Sequence, residues 1–357
     1  MPQSNITSLL TTITKLSESS DCHSIRYNKT LFASRKDDTI FTPASANYVL
    51  SSIKPYLTDD EQDTINSIIQ QSTARYPLYK NQNGRQSYNF WRTKEANSHF
   101  PFGTILNRFE FFRLPDDVDT TAMVMLTLGY SNEEALSLKN SLPCYANRFK
   151  LTAKTTLPQF KTLQCYSTWF GINMPIELDC CVLSNLMLWI FNSKLPLNQN
   201  DTDVIQFLSE IILNDYYTSH TFQIAPEYPR KAIILYHLAR LISEHQMHFK
   251  SIVIEQLKHD LQIYFHQTRL PFAKMLLQTS LLRFNIYNNL KTIEITTKEI
   301  ENYWWFTAGF LSGYSNPLLK KLAPFSFFHL RFSSQLLNVA LILENRVLLA
   351  QHQKEKM

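Results

Sequence analysis

The chain has 357 residues, of which 44% are hydrophobic and only 18% are charged, and its formal net charge is +5. This composition can bury a large core, and the scattered lysines and arginines do not predict a nucleic-acid partner. With six glycines and no Gly-x-Gly-x-x-Gly or Walker-type loop, the sequence argues against a nucleotide-binding fold.

The first hundred residues alternate between helical and irregular segments. Residues 5–16 carry Ile, Leu and Ile side chains at helical spacing, which predicts an amphipathic helix. The polar stretch 17–38 predicts a loop. Helices are expected over 45–53 and 59–71, the second of them capped by the residues before it. The aromatic-rich, irregular segment 88–102 follows.

The next stretch is Leu114-Pro115-Asp116-Asp117-Val118-Asp119-Thr120-Thr121-Ala122-Met123. Asp119 or Thr120 suits a helix N-cap, so the carboxylates lie at the positive end of a helix dipole. If they are buried, carboxylates this close cannot all ionise, and at least one stays protonated near neutral pH. The stretch therefore predicts a proton-donating acid, with an exposed helix cap as the alternative.

Helical patterns recur after this stretch, separated by short polar breaks. They are expected at 121–128, 132–140, 179–191, 201–213, 230–244, 249–266, 272–282, 297–311 and 333–351. Pairs of helices at intervals of roughly 40 to 50 residues indicate an α/α array.

The sequence from Asp117 to Met123 resembles the acid motif of class II terpene cyclases, which is usually written Asp-x-Asp-Asp-Thr-Ala. In that family the middle Asp protonates a terminal alkene or epoxide, and the outer carboxylates polarise it. Asp119 matches the middle position and Asp117 the first. Thr120 replaces the last Asp, as in the Asp-x-Asp-Thr-Thr variant of bacterial drimenyl-type sesquiterpene cyclases.

The resemblance implies a role for each residue of the motif. Asp119 would donate the proton and Asp117 would orient it, while Thr120 and Thr121 would supply hydrogen bonds. Asp116 would compensate for the missing carboxylate. The glutamine-tryptophan repeats of squalene cyclases and the Asp-Asp-x-x-Asp motif of class I terpene synthases are not evident in the sequence.

The resemblance also implies the fold and the reaction. We expect an all-α chain, a single α/α toroid of about twelve helices around a central cavity. One domain would span 1–357, with an N-terminal helix and loop at 1–40 and the toroid at 41–357. The reaction would be the protonation-initiated cyclisation of a linear prenyl diphosphate, most plausibly farnesyl diphosphate, with Mg²⁺ accompanying the diphosphate.

Carbocation chemistry requires aromatic ring faces, and a diphosphate requires cations. The candidate substrate-binding residues are Trp91, Tyr216, Tyr236, Trp304, Trp305, Asn185, Arg92 and Arg113. Trp304 and Trp305 are neighbours on a predicted helix and point about 100° apart, so only one can face inward. Arg113 could instead pair with the acids and lower their pKa. Ordinary core packing is the alternative for the aromatic side chains.

A possible metal motif lies at the start of another predicted helix. Asp179-x-Cys181 resembles part of the zinc site of protein prenyltransferase β subunits, with His237 or His220 as the third ligand. Zinc needs three ligands that converge at about 2.0–2.3 Å. Buried free cysteines are common, so core packing is favoured for Cys180 and Cys181, and zinc is disfavoured.

The remaining expectations concern the compartment and the rival functions. The five cysteines lack a Cys-x-x-Cys spacing, the N-terminus lacks a secretory pattern, and no apolar run approaches about 18 residues. We therefore expect a cytoplasmic protein without a transmembrane segment. The alternatives to a cyclase are a zinc-dependent prenyltransferase-like or sugar-active toroid enzyme, or a non-catalytic helical scaffold that binds a lipid or a partner.

Overall fold

The computed structural model describes residues 2–18, 24–28, 33–94, 114–171, 174–286, 290–309 and 316–355. This part of the chain is mostly helical and contains one small antiparallel sheet. The helices are α1 (Pro2–Glu18), α2 (Phe41–Ile53), α3 (Asp59–Thr73), α4 (Val118–Thr127), α5 (Asn132–Ser141), α6 (Cys180–Asn192), α7 (Gln199–Leu213), α8 (Tyr216–Ser219), α9 (Thr221–Ile224), α10 (Lys231–Glu244), α11 (Ser251–Gln267), α12 (Pro271–Arg283), α13 (Thr297–Asn302), α14 (Pro317–Leu322) and α15 (Gln335–Glu355). The strands are β1 (Ser24–Asn28), β2 (Ala33–Asp37), β3 (Trp304–Gly309) and β4 (His329–Ser333).

Six helices contact one another in a closed cycle. Helix α2 packs on α4, α4 on α6, α6 on α10, α10 on α12, α12 on α15, and α15 returns to α2. These helices are buried around most of their circumference; in α6, every residue from Cys180 to Phe191 is buried. A helix that is apolar on all sides belongs in the interior of a protein. We call these six the ring helices.

Most of the intervening helices bury only one face. Helix α3 buries only Ile65 and Ile68, and α11 buries a stripe that includes Val253, Leu257 and Leu261. Such a stripe is typical of an outer helix. Helix α1 packs on α15 and α3, α7 packs on α6 and α11, and α13 packs on α15. The chain therefore moves alternately between an outer and an inner layer.

The ring helices run in the same direction. Residues at or near the C-terminal ends of all six line one polar cavity of about 490 Å³, among them Ile53, Leu126, Asn192, Glu244, Leu282 and Leu348. The space between the helices is filled by polar side chains. The Arg240 guanidinium lies 5.2 Å from the Tyr48 ring centroid, and Tyr236 donates a hydrogen bond of 2.7 Å to Glu344. These buried contacts lie between the ring helices, and the polar cavity opens at the C-terminal end of the ring.

The sheet contradicts the prediction of an all-α chain. Its strand order is β2-β1-β4-β3, and each neighbouring pair is antiparallel. Strands β1 and β2 occupy the segment 17–38, which was predicted to be a loop. The helix predicted over 297–311 ends at Asn302, and the chain continues as β3. The run Trp-Trp-Phe-Thr at its start has high β propensity, which explains the change.

This strand also corrects the expected orientation of two tryptophans. Side chains alternate between the two faces of a strand, so Trp304 and Trp305 point in opposite directions rather than about 100° apart. Trp305 is buried and Trp304 is half-buried. A register shift between Trp304 and Phe306 interrupts the pairing of β3 with β4.

The other predicted helices are confirmed, with their ends shifted by a few residues. Thr58 and Glu61 form the capping box expected at the start of α3, with Thr58 N–H donating to Glu61 at 3.0 Å. The N-cap of α4 is Asp117, not Asp119 or Thr120, and the helix begins at Val118. Within the described residues, no helix is long and apolar enough to cross a membrane.

Candidate active site

A pocket of about 70 Å³ lies at the N-terminal end of the ring, opposite the polar cavity. Seven aromatic side chains contribute to its lining: Phe41, Phe90, Trp91, Trp169, Tyr228, Phe306 and Phe332. Phe306 is at their centre, stacked on Phe332 with 4.7 Å between ring centroids and edge-on to Phe41 at 5.3 Å. The lining is predominantly apolar, yet three carboxyl groups reach it, those of Asp117, Asp119 and Glu227.

Asp117 belongs to the lining of this pocket and has one carboxyl oxygen without a hydrogen-bond partner among the described residues. Its Oδ1 accepts a hydrogen bond of 2.6 Å from the Thr120 backbone N–H, which caps α4. Its Oδ2 is buried and has no hydrogen-bond partner among the described residues. Burial raises the pKa of Asp117 well above its usual value; the Thr120 amide opposes this shift, and the charge of Asp119 adds to it. Asp117 is therefore a neutral acid near pH 7.

Asp119 has the opposite surroundings. Its Oδ1 accepts a hydrogen bond of 2.6 Å from Asn185 Nδ2, and its Oδ2 accepts one from the Tyr228 hydroxyl. Burial raises the pKa of Asp119 to about 6, while these two hydrogen bonds and the Arg240 charge lower it. Asp119 is therefore mostly ionised above pH 6, although it is buried.

Arg240 fixes the orientation of the amide behind Asp119. Its Nη2 donates to Asn185 Oδ1. A guanidinium can only donate hydrogen bonds, so the carbonyl of Asn185 must face Arg240 and its NH₂ must face Asp119. The three side chains form a buried polar chain that runs from the pocket into the centre of the ring.

Two other residues of the motif support the loop instead of facing the pocket. Asp116 Oδ2 accepts hydrogen bonds of 2.5 Å from both Asn81 and Ser87. The Thr121 hydroxyl donates to the Asp117 carbonyl at 2.7 Å. Thr120, by contrast, lines the pocket, and its hydroxyl lies within hydrogen-bonding reach of the Asp117 carboxyl, whose pKa it lowers.

A second group of carboxyls borders the pocket. Glu227 is half-buried, and its pKa is raised well above the usual value by desolvation and by the neighbouring Glu177 and Asp179. Its backbone N–H donates to Asp179 at 2.9 Å, and Asp179 caps α6 through the Cys181 N–H at 2.8 Å. Burial raises the pKa of Asp179 to about 8. These groups also hold protons at neutral pH.

Two of the predicted substrate-binding residues lie at the site. Trp91 lines the pocket and donates its indole N–H to Asp37 at 3.1 Å. Asn185 holds Asp119, as described above. Arg92 lies outside the pocket lining and forms an ion pair with Asp38 at 2.6 Å, which neutralises its charge. Arg113 falls outside the described residues.

The other predicted substrate-binding residues lie elsewhere. Tyr216 accepts a hydrogen bond of 2.9 Å from Gln159, away from the pocket. Tyr236 faces the ring interior, where Trp305 packs edge-on against it at 5.7 Å. Trp304 lies outside the pocket lining, beside Arg230. These residues are far from the acid motif in the sequence, so the sequence alone did not indicate where they lie relative to the pocket.

The sequence interpretation missed Glu227, Tyr228 and Arg240. Glu227 and Tyr228 stand just before α10, at the same end of the ring as Asp117. Arg240 is in the middle of α10, and no local pattern marks it.

The zinc candidates do not converge. His237 Nδ1 hydrogen-bonds the Ile233 carbonyl at 2.8 Å, burial keeps its pKa well below the usual value, and Cys180 and Cys181 are buried. Within the described residues, no group of three or more His, Cys, Asp or Glu side chains could hold a metal ion.

The resemblance to class II terpene cyclases is confined to the seven residues from Asp117 to Met123. No protein-family model matches the chain, and no match was found among curated proteins. The function is therefore argued from the pocket and its carboxyl groups.

Proposed function

We propose that the protein is a class II terpene cyclase-like enzyme, which protonates a linear prenyl diphosphate and cyclises it. The observation that carries this proposal is the buried Asp117 carboxyl, which has an unpartnered Oδ2 and belongs to a residue that lines a pocket rich in aromatic rings. A sugar-active enzyme would require a polar cleft for its carboxylates. The apolar lining favours a hydrocarbon substrate.

Asp117 is the proton donor in this proposal, and Asp119 is the charged partner that keeps the proton on it. Two like-charged neighbours do not ionise together, and the proton stays on the group with the weaker support for its charge. Asp119 has hydrogen bonds from Tyr228 and Asn185, whereas Asp117 Oδ2 has none among the described residues. These surroundings favour Asp117 as the donor and Asp119 as its partner, whereas the resemblance implies Asp119 as the donor and Asp117 as the orienting residue.

The initiating step transfers one proton. The proton leaves Asp117 Oδ2, the π electrons of the terminal double bond form the new C–H bond, and Asp117 becomes a carboxylate. An internal double bond then attacks the carbocation and closes the ring. Aromatic faces within about 6 Å of the cation each stabilise it by up to ~2 kcal/mol in a dry site. Loss of a proton or capture of water ends the reaction, and the diphosphate is retained.

The pocket is suited to the reacting end of the substrate. A cavity of about 70 Å³ is too small for a whole farnesyl chain, so in this proposal it takes only the terminal end. The remainder of a farnesyl chain extends beyond it. Mg²⁺ enters the proposal only as a companion of the substrate diphosphate.

We also propose that the fold is an α/α toroid, with the ring helices as its inner layer. The closed cycle of contacts, the common direction of the ring helices and the alternation with one-faced outer helices support this assignment. The sheet β1–β4 then covers the rim above the pocket, because Phe306 and Phe332 reach into it from β3 and β4.

Incubation with prenyl diphosphates tests the function. The purified protein is mixed with geranyl, farnesyl and geranylgeranyl diphosphate with Mg²⁺, and products are analysed by mass spectrometry before and after phosphatase treatment. The proposal predicts a cyclic product that still carries its diphosphate. Heat-denatured protein is the control. Failure to convert any of the three substrates, or release of diphosphate during cyclisation, would contradict the proposal.

A further inference from the structure

Two arginines, Arg230 and Arg331, lie next to the side chain of Trp304 on strand β3, which leads to the pocket. The Arg230 guanidinium carbon is 4.6 Å from the Trp304 ring centroid, and that of Arg331 is 4.9 Å from the same ring. Side chains alternate along β4, so Arg331 faces away from Phe332 and therefore away from the pocket. The two arginines and Trp304 form a half-buried cluster on the outer face of the sheet.

The charge of this cluster is not neutralised by the described residues. Some other half-buried or buried arginines pair with carboxylates, Arg92 with Asp38 and Arg283 with Glu244 and Glu344, while Arg240 donates to the neutral Asn185 amide. Arg230 and Arg331 form no ion pair in the part of the chain that the structure describes. The buried Nε of Arg331 also lacks a hydrogen-bond acceptor there. The two guanidinium groups have no carboxylate partner among the described residues, and the Nε–H of Arg331 has no acceptor there. Together these features indicate that an anion is missing from the cluster.

Two neighbouring features add to the attraction for an anion. Tyr27 is the cross-strand partner of Arg331, and its hydroxyl lies within hydrogen-bonding reach of that guanidinium. Helix α10 begins at Lys231, directly after Arg230, so the positive end of the helix dipole lies beside the cluster. Arg230 is held in place by its own hydrogen bond of 2.8 Å to the Trp304 carbonyl and by stacking on Tyr303 at 4.1 Å.

We propose that Arg230, Arg331 and Tyr27 form a binding site for a phosphate or diphosphate group. The planar guanidinium matches two phosphate oxygens at once, and a pair of arginines suits the several negative charges of a diphosphate. The indole of Trp304 supports both guanidinium groups, which reduces the entropy that binding costs.

The site lies within reach of the pocket. Strand β3 is an edge strand of the sheet, and Ala308 on the same strand lines the pocket. Trp304 and Ala308 are about 13 Å apart along a strand that rises about 3.3 Å per residue. A prenyl chain could pass this edge with its hydrocarbon end in the pocket. The identification of the anion as the substrate diphosphate rests on the proposed function; the binding of diphosphate does not.

Titration with inorganic diphosphate tests the site without any turnover. We expect saturable binding by calorimetry, accompanied by a change in tryptophan fluorescence from Trp304. Arg331→Gln should weaken binding at least about tenfold, because a charge-assisted hydrogen bond contributes about 1.5–3 kcal/mol. Arg331→Lys, which keeps the charge and loses the planar fork, should weaken it less. The control is Arg269→Gln, an exposed arginine in the turn before α12.

The result that overturns the site is a wild-type protein that does not bind diphosphate, or an Arg269→Gln variant that loses as much affinity as Arg331→Gln. Circular dichroism melting of each variant shows that it is folded, and Tyr27→Phe supplies a second, milder variant. Its expected loss of affinity is severalfold.

Competition identifies the source of the anion. If inorganic diphosphate displaces farnesyl diphosphate, and Arg331→Gln weakens farnesyl diphosphate but not farnesol, the site holds the substrate diphosphate. If inorganic diphosphate binds without displacing farnesyl diphosphate, the site serves a separate phosphate ligand and the proposal still holds. Cyclisation by a protein that does not bind inorganic diphosphate would overturn this site and leave the proposed function standing. If the protein binds inorganic diphosphate but does not cyclise any prenyl diphosphate, the proposed function is overturned and this site stands.

Discussion

Asp117 and Asp119 stand two positions apart in the sequence, yet their carboxyl groups have opposite surroundings. Both oxygens of Asp119 accept hydrogen bonds, from Tyr228 and Asn185, and Arg240 lies behind it. Asp117 Oδ2 is buried at the pocket without a partner among the described residues. In the proposed mechanism the pair keeps one proton at neutral pH and holds it on Asp117, a residue of the pocket lining.

Asp117→Asn should abolish cyclisation and leave the protein folded. Asparagine retains the oxygen that accepts the Thr120 N–H and is as good an N-cap as aspartate, so the free energy of unfolding should change by no more than about 1 kcal/mol. Loss of a general acid costs about 10²- to 10⁴-fold in rate. Initial rates and urea denaturation measure the two quantities.

Asp116→Asn is the matched control for this substitution. Asp116 is buried beside Asp117, but its carboxylate binds Asn81 and Ser87 and lies outside the pocket lining. We expect this variant to lose stability and to keep its rate. Equal rates for Asp117→Asn and the wild type would rule out Asp117 as the donor.

The pH dependence of cyclisation distinguishes the two candidate donors. The pKa of Asp119 is raised to about 6, and burial also raises the pKa of Asp117 well above its usual value. An acid donor works only while it is protonated, so a rate limited by Asp119 would fall about tenfold per unit above pH 6. With Asp117 as donor and ionised Asp119 as its partner, the rate should rise through pH 6 as Asp119 loses its proton, and decline only at higher pH as Asp117 loses its own. A decline centred at pH 6 would return the role to Asp119.

Tyr228→Phe should slow cyclisation by removing a hydrogen bond to Asp119. Without the hydroxyl the pKa of Asp119 rises, and the negative charge that keeps the proton on Asp117 is weakened. We expect at least about a tenfold loss of rate, equivalent to ~1.4 kcal/mol. Tyr217→Phe is the control, because the Tyr217 hydroxyl also donates to a buried carboxylate, that of Asp260, outside the pocket lining.

Both tyrosine variants should lose about 1.5–3 kcal/mol of stability, the contribution of a hydrogen bond to a charged group. Only Tyr228→Phe should change the rate. If Tyr217→Phe lowers the rate as much as Tyr228→Phe does, the loss of rate comes from altered packing. It would then not come from the hydrogen bond to Asp119.

The sequence predicted the ring helices well, because their apolar runs are long and their caps are recognisable. It did not predict the sheet. Strands β1 and β2 are short and rich in Ser, Arg and Lys, so their polarity indicates a loop until β4, some three hundred residues later, pairs with β1. Strand β3 directly follows a helix, and its Trp-Trp-Phe-Thr run was assigned to that helix.

Part of the site could be predicted for a similar reason. Asp117 and Asp119 are recognisable from a short sequence motif, and Asn185 is recognisable from its position on an apolar helix. The hydrogen bonds from Tyr228 and Arg240 join residues more than fifty positions apart, and only the folded chain brings them together. The relative acidity of the two aspartates depends on these contacts, so the sequence alone assigned the donor role by resemblance.

The stability of the protein should fall as pH rises from about 4 to 8. The pKa of Asp179 is raised to about 8 in the folded chain, above the ~3.9 of an unfolded chain. Between these values the folded state binds more protons than the unfolded state, so the free energy of unfolding decreases with increasing pH. Urea denaturation at pH 5 and pH 8 measures the difference.

Asp179→Asn should make this pH dependence shallower, because asparagine caps α6 without a titrating proton. The remaining slope would come from Asp119 and the other buried carboxyls, whose pKa values are also raised. Stability that increases from pH 5 to pH 8 would contradict the buried, protonated state of these groups.

Lys139→Met should destabilise the protein through a buried ion pair far from the pocket. Lys139 Nζ lies 2.5 Å from Asp201 Oδ2, and both side chains are almost fully buried. Removing one partner leaves an uncompensated buried charge, which costs about 3–5 kcal/mol. Lys258→Met, which breaks the exposed pair with Glu255, should cost no more than about 1 kcal/mol. Asp201→Asn combined with Lys139→Met should recover most of the loss.

Cyclisation of farnesyl diphosphate in deuterated water is the most direct test of the central claim. If a carboxyl group of the protein starts the reaction by protonation, the cyclic product carries one deuterium at the former terminal alkene carbon and retains its diphosphate, and Asp117→Asn forms no labelled product. A cyclic product without deuterium, formed with release of diphosphate, would contradict the account, because the reaction would then start by ionisation and not by protonation.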